Sequence, residues 1–179
     1  MFPPDVFIMN WMVDHRVAWA THLAYAVMRA RGNTIVLGGL AVSALSYVVV
    51  RRQWVQALSV VSAGALAVVI TTVLKALIGR PRPAGTFTLV QAAGYSMPST
   101  DGALTVAVAA SFFLLTAWRT ARARLIFGSA LTALVIAVGL CLVYLGAHWP
   151  SDVLAGWVIG WAIAWGVRAA ATRIHATRV

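Results

Sequence analysis

Apolar residues run without a charge through four stretches of the chain, 55–74, 103–118, 125–147 and 153–167, and a shorter fifth covers 35–50. A helix needs about 20 such residues to cross a bilayer, with a lower limit near 17. The shorter runs can borrow flanking residues or tilt less. The region ahead of them differs. Asp14, His15 and Arg16 interrupt an otherwise apolar stretch over 4–30, and a charge at the centre of a span costs about 2.5–3.5 kcal/mol. The pattern predicts two interfacial or partly inserted helices, 4–13 and 17–28, with a sixth span as the alternative. The expected fold is all-α: a polytopic membrane helical bundle of five to six transmembrane helices with an N-terminal interfacial segment, as one domain over 1–179.

Composition supports this class. Hydrophobic residues make up 61% of the chain and charged ones 10%, against about 25% charged in an average soluble domain. A soluble fold could not cover itself with so few polar groups. The net charge of +10 raises the question of nucleic acid. Thirteen of the fourteen cations are Arg, however, and most lie in short clusters between apolar runs. That is the placement of loop anchors, and no nucleic-acid partner is expected. The single cysteine, Cys141, allows no intramolecular disulfide and says nothing about compartment. The opening residues lack the basic stretch of a cleaved signal peptide.

Arginine placement also sets an orientation. With five spans, Arg51 and Arg52, then Arg119, Arg122 and Arg124, then Arg168, Arg173 and Arg178 all fall on one side. That side is expected to be cytoplasmic, in a multi-pass protein of the plasma (inner) membrane. The opposite, extracytoplasmic side then carries the 79–99 loop and the turn at His148. Lys75, Arg80 and Arg82 break the rule there, and binding an anion is the obvious reason.

Three stretches could carry chemistry. In "KALIGRPRP", from Lys75, three cations precede or flank prolines that stiffen the turn and prevent a regular helix. Arg offers a planar fork to phosphate and Lys a point charge. Snorkelling headgroup anchors read equally well. In "MPSTDGALTV", one of Ser99, Thr100 and Asp101 caps the following helix, whose N–H groups form an anion site or simply a capped end. In "GAHWPSDVLAG", His148 and Asp152 can meet if the chain turns helical at Pro150. A carboxylate on one ring nitrogen fixes the tautomer and leaves the other as nucleophile or base. The plain alternative is a loop histidine paired with a capping aspartate. Together the three stretches point to phosphoryl transfer.

Two packing signals accompany them. Gly156 and Gly160 suit close helix contact. Trp157, Trp161 and Trp165 recur on one helix face and read as lipid-facing or packing aromatics.

The spacing resembles the type 2 phosphatidic acid phosphatase (PAP2) superfamily, whose pattern is K-x6-R-P, then P-S-G-H, then S-R-x5-H-x3-D. Lys75 and Arg82-Pro83 match the first part, Pro98-Ser99 the start of the second, and His148 and Asp152 the end of the third. The resemblance covers roughly 70–160. It implies a helical bundle with its site at the membrane surface and core motifs over 75–152. It further implies that His148 attacks phosphorus, that Asp152 orients it, and that Lys75, Arg82 and Ser99 hold phosphate, with Thr100 beside them. No metal or other cofactor is implied, and the substrates are lipid phosphates, including isoprenyl pyrophosphates and phosphatidate-type lipids.

The chain departs from that pattern at three places. Thr100 replaces the glycine of the second motif, Asp101 its acid histidine, and Cys141-Leu142 the Ser-Arg of the third. One phosphate-binding Arg and the usual acid are missing, so the pocket is two charge units less attractive to an anion. Asp101 is the remaining candidate acid. Two other readings stay open. One is an impaired relative that binds or transports a phospholipid or polyprenyl-phosphate carrier, alone, as a homo-oligomer or for a partner membrane enzyme. The other is a metal site from Asp101, His148 and Asp152. The 84–97 loop could gate the site, with Phe87 and Tyr95 against a lipid chain.

Overall fold

A computed structural model describes residues 2–32 and 52–176, and among these the regular structure is helical, without strands. Two short N-terminal helices come first, α1 (Pro3–Asp14) and α2 (Ala18–Gly32). They are followed by α3 (Trp54–Ile78), a single 3-10 turn at Gly85–Phe87, α4 (Thr100–Leu115), α5 (Ala121–Tyr144) and α6 (Pro150–Ala176). The break between α1 and α2 falls at His15–Val17, where the sequence places its charge cluster.

Among the described residues, three helices are long and apolar enough to cross a membrane: α3, α5 and residues 150–173 of α6. The run at 103–118 yields only the 16-residue α4, about 24 Å long at 1.5 Å per residue. That is shorter than the hydrocarbon core of about 30 Å. Its surroundings explain the tolerance. Gly102, Ala103, Val106, Ala107, Ala109, Ala110 and Ser111 are all buried, so α4 packs mainly on protein. The run at 35–50 lies outside the described residues. Large apolar side chains such as Leu58, Val61, Leu77, Leu125 and Val158 stand exposed on the outer helices, as expected of surfaces facing lipid tails.

Small residues bring the helices together. Ala63, Ala67, Ala103, Ala107 and Ile163 form one core cluster across α3, α4 and α6. On α6, a Cβ at Gly156 would come within 2.5 Å of the Ser99 carbonyl, and one at Gly160 within 2.5 Å of the Ala103 carbonyl. The Gly-x-x-x-Gly pair thus serves contact between α6 and α4, where backbone approaches backbone. Trp157 packs inward against the core, while Trp161 and Trp165 are exposed.

The alternating helix directions gather the C-terminal ends of α3 and α5 and the N-terminal ends of α4 and α6 at one end of the bundle. The Ser99 N–H donates to the Asp152 carbonyl (2.9 Å), Ser96 N–H to Arg80 O (2.8 Å) and Leu89 N–H to Leu145 O (2.9 Å). Arg119, Arg122 and Arg124 lie in and after the α4–α5 turn at the other end, where Gln56 Nε2 bonds Thr116 Oγ1 at 2.7 Å. The N-terminal helices pack against the first end. Arg16 donates to the carbonyls of Thr86, Phe87 and Tyr144, and Tyr25 donates to Leu89 O at 2.8 Å.

Candidate functional site

His148 lies in the tight turn between α5 and α6. The turn requires glycine at 146: φ is +70°, and a Cβ there would collide with the backbone of Phe87 and Thr88. His148 is 2% exposed. Its Nε2 is 3.3 Å from Arg82 Nη1. A guanidinium only donates, so Nε2 accepts and the ring proton belongs on Nδ1. Nδ1 faces Asp152 Oδ2 at 3.6 Å, slightly beyond hydrogen-bond range, and has no hydrogen-bond partner. Burial pushes the His148 pKa below its ordinary 6.5; the Asp152 carboxylate opposes this, while the charges of Arg82 and Lys75 add to it. The imidazole is therefore neutral at pH 7.

Asp152 is fully buried on the first turn of α6. Its Oδ2 accepts the Trp149 N–H at 2.9 Å, and its Oδ1 accepts Arg80 Nη1 at 2.7 Å. The proximity of His148 and Asp152 expected from their spacing is present, but the carboxylate also holds the helix end and an arginine.

Lys75 lies in the last turn of α3, and Gly79 at φ +63° terminates that helix. The Lys75 Nζ donates to the carbonyls of Tyr95 (3.0 Å) and Ser96 (3.1 Å). Arg82 follows in the irregular segment after α3, between Pro81 and Pro83. Its Nε donates to Ala93 O and Gly94 O, and its Nη1 to Ala147 O at 2.6 Å. The returning 93–96 loop thus offers carbonyl oxygens to both cations.

Ser99 is the N-cap of α4, fully buried, with Oγ accepting from the Gly102 N–H at 3.2 Å. The Thr100 hydroxyl meets Thr71 Oγ1 of α3 at 3.0 Å. Asp101 occupies the first turn of α4, within electrostatic reach of Lys75. Leu142, where the resemblance expects Arg, is 1% exposed in an apolar cluster with Met9, Val143, Trp149 and Val153. Among the described residues no three His, Cys, Asp or Glu side chains converge to hold a metal ion. The alternative ligand set of Asp101, His148 and Asp152 is not assembled. Phe87 packs edge-on against Trp149, 5.8 Å between ring centres, whereas Tyr95 is exposed.

Two residues were absent from the sequence-based site. In the sequence Arg80 is one cation of a cluster, and no motif surrounds Asp5. Asp5 is 2% exposed and pairs with Arg80 at 2.6 Å. A cavity of about 430 Å³ lined by Phe2, Arg80, Pro81, Met97, Trp149 and Ser151 opens beside this pair. A second, apolar cavity of about 230 Å³, between α4, α5 and α6, shares none of these residues.

Known proteins resemble this arrangement. The sequence profile of the PAP2 superfamily matches residues 56–176. The crystal structure of a transmembrane PAP2-type phosphatidylglycerolphosphate phosphatase from Bacillus subtilis superposes with a TM-score of 0.83 at 22% identity, over 96% of this chain and 86% of that one. The crystal structure of Aquifex aeolicus LpxE superposes with a TM-score of 0.67 at 23% identity, over 90% of this chain and 93% of that one. No curated protein matches the chain significantly in sequence.

Proposed function

This chain belongs to the PAP2 superfamily, and on that premise we propose that it is an integral membrane lipid phosphatase. It hydrolyses a lipid phosphate or isoprenyl (pyro)phosphate at the extracytoplasmic face of the plasma (inner) membrane, through a phosphohistidine. The observation that carries this reading is the line Arg82–His148–Asp152. Nε2 of a buried neutral imidazole meets a guanidinium at 3.3 Å, and Nδ1 faces a carboxylate at 3.6 Å.

In the reaction, Lys75 and Arg82 exchange loop carbonyls for phosphate oxygens, and the N-terminal end of α4 faces the same anion. The Nε2 lone pair forms a bond to phosphorus as the bond to the leaving oxygen breaks. The ring becomes cationic, and the gap between Nδ1 and Asp152 closes into a charge-assisted hydrogen bond. Asp101, on the first turn of α4, takes the role of the acid that protonates a leaving alkoxide. A pyrophosphate needs less help, because phosphate leaves more readily than an alkoxide. Water then attacks the phosphorus and frees inorganic phosphate and His148. The extracytoplasmic assignment rests on the arginines gathered at the far end of the bundle.

The burial of Leu142 in an apolar cluster favours a second reading, an impaired relative that binds a phospholipid or polyprenyl-phosphate carrier for a partner enzyme or as a homo-oligomer. Phosphate release from a panel of lipid phosphates and pyrophosphates, from about pH 5 to 8, separates the two. The phosphatase reading expects release by the unaltered protein and loss of about 1,000-fold or more in H148A, with a smaller loss in D101A. Binding without release across the panel overturns it in favour of the carrier reading.

A further inference from the structure

Asp5 reaches the site from α1, seventy-five residues from its partner Arg80 in sequence. Both of its oxygens are engaged. Oδ1 accepts the Ser151 N–H at 2.9 Å; Oδ2 accepts the Ser151 hydroxyl at 2.6 Å and Arg80 Nη2 at 2.6 Å. The other arm of Arg80 bonds Ser151 Oγ and Asp152 Oδ1, each at 2.7 Å, and its guanidinium lies 5.5 Å from the centre of the Trp149 ring. One arginine is thus clamped between two buried carboxylates, one of which faces His148.

We infer that Asp5 is a positioning residue for phosphoryl transfer: by sharing Arg80, it leaves Asp152 with net negative charge to present to His148. The inference rests on the phosphatase reading for its meaning, though not for its geometry. The charge count carries it. Asp5, Arg80 and Asp152 together sum to −1. Without Asp5 the trio sums to zero, and Arg80 cancels the carboxylate that must stabilise a cationic ring. A simpler role is available, since Asp5 also caps α6 through the Ser151 N–H. A cap contributes stability but has no reason to tune an imidazole three residues before Ser151.

The groups facing His148 are few. Asp152 comes from α6, Arg82 from the segment after α3, and Lys75 from the end of α3, with Asp101 of α4 facing Lys75. Beside these, α5 contributes the apolar Leu142 and Val143. Burial raises the Asp5 carboxyl, but the bonds from Ser151 and Arg80 outweigh it and hold the group below its ordinary 3.8. It is ionised wherever the enzyme would work.

The test is the His148 titration, read by NMR on histidine-labelled protein in detergent and assigned with H148N. D5N removes one negative charge and is expected to lower the His148 pKa by about half a unit to one unit. R80Q removes one positive charge and is expected to raise it similarly. D5N/R80Q restores the sum of −1 and returns the titration close to that of the unaltered protein. Shifts of opposite sign that cancel in the double variant are not produced by a lost cap or loosened packing. Titrations that stay together in all three variants, or that all move in one direction, overturn the inference. Because the readout does not depend on turnover, a shifting titration in a protein that releases no phosphate leaves the charge relay standing while the phosphatase reading falls. Where phosphate is released, the acidic limb of kcat/KM moves with the titration, and D5N lowers kcat about 10-fold with KM within about 3-fold.

Discussion

Gly156 of α6 lies against the Ser99 carbonyl of α4, so closely that a Cβ would come within 2.5 Å of the oxygen. Ser99 in turn donates its N–H to the Asp152 carbonyl at 2.9 Å. The N-terminal ends of two helices, one capped by Ser99 and the other bearing Asp152, are therefore registered by a position with no side chain. Gly156→Ala must push the helices apart. The expected cost is about 1–3 kcal/mol for overpacking, read as a lower Tm in detergent. Activity should fall further than stability alone predicts, because the separation opens at the level of Asp152.

Arg82 acts on His148 both as a hydrogen-bond donor and as a charge. Arg82→Ala removes a positive neighbour that holds the imidazole pKa down. The His148 pKa should then rise, and the acidic limb of the pH–rate profile should move to higher pH. Loss of the phosphate fork should lower kcat/KM by about 100- to 1,000-fold. Arg82→Lys keeps a charge but not the planar fork, so it should leave the limb near its original place while still losing rate. Steady-state kinetics over pH separate the two effects.

Acid should weaken the fold in two steps. His148 is held below 6.5 in the folded protein, so the unfolded chain binds the proton more readily, and stability falls as pH drops below about 6.5. Asp5 is held below 3.8. Its contribution is present above that value and is lost as pH falls through the lower folded pKa. Tm measured against pH should show the first step vanish in H148Q and the second in D5N.

Restoring the arginine of the family pattern should not restore a complete site. Leu142 is 1% exposed among Met9, Val143, Trp149 and Val153. Leu142→Arg places a charge in that cluster without a partner, at a cost of several kcal/mol. The expected result is a lower Tm and less active protein, measured by thermal unfolding beside phosphate release. A gain in activity without loss of stability would show that the cluster can open toward the phosphate.

Features governed by local chemistry were readable in the chain. The charge cluster at Asp14–Arg16 marks the break between α1 and α2 because the interruption is contiguous. The run Ser99–Thr100–Asp101 announces a cap because capping acts over three residues, though only the structure selects Ser99, and the i, i+4 spacing of His148 and Asp152 fits the start of a helix at Pro150. Asp5 was not readable. One acid after two prolines looks like an ordinary helix start, and its partner is seventy-five positions away. Arg80 was visible as a cation, but spacing could not tell that it serves two carboxylates while Arg82 faces the histidine. The shortness of α4 was not readable either, since a helix sheltered by its neighbours need not match the thickness of lipid.

Five main-chain oxygens, from Ala93, Gly94, Tyr95, Ser96 and Ala147, receive the N–H groups of Lys75 and Arg82. In a site that handles phosphate, these carbonyls are resident understudies for the ligand. On the phosphatase reading, departure of the product strands no donor, because the neutral carbonyls take back the N–H groups that the more strongly binding phosphate oxygens release. On that reading, inorganic phosphate must displace those carbonyls to bind, so its net hold on the two cations is weaker than in a site whose donors stood bare.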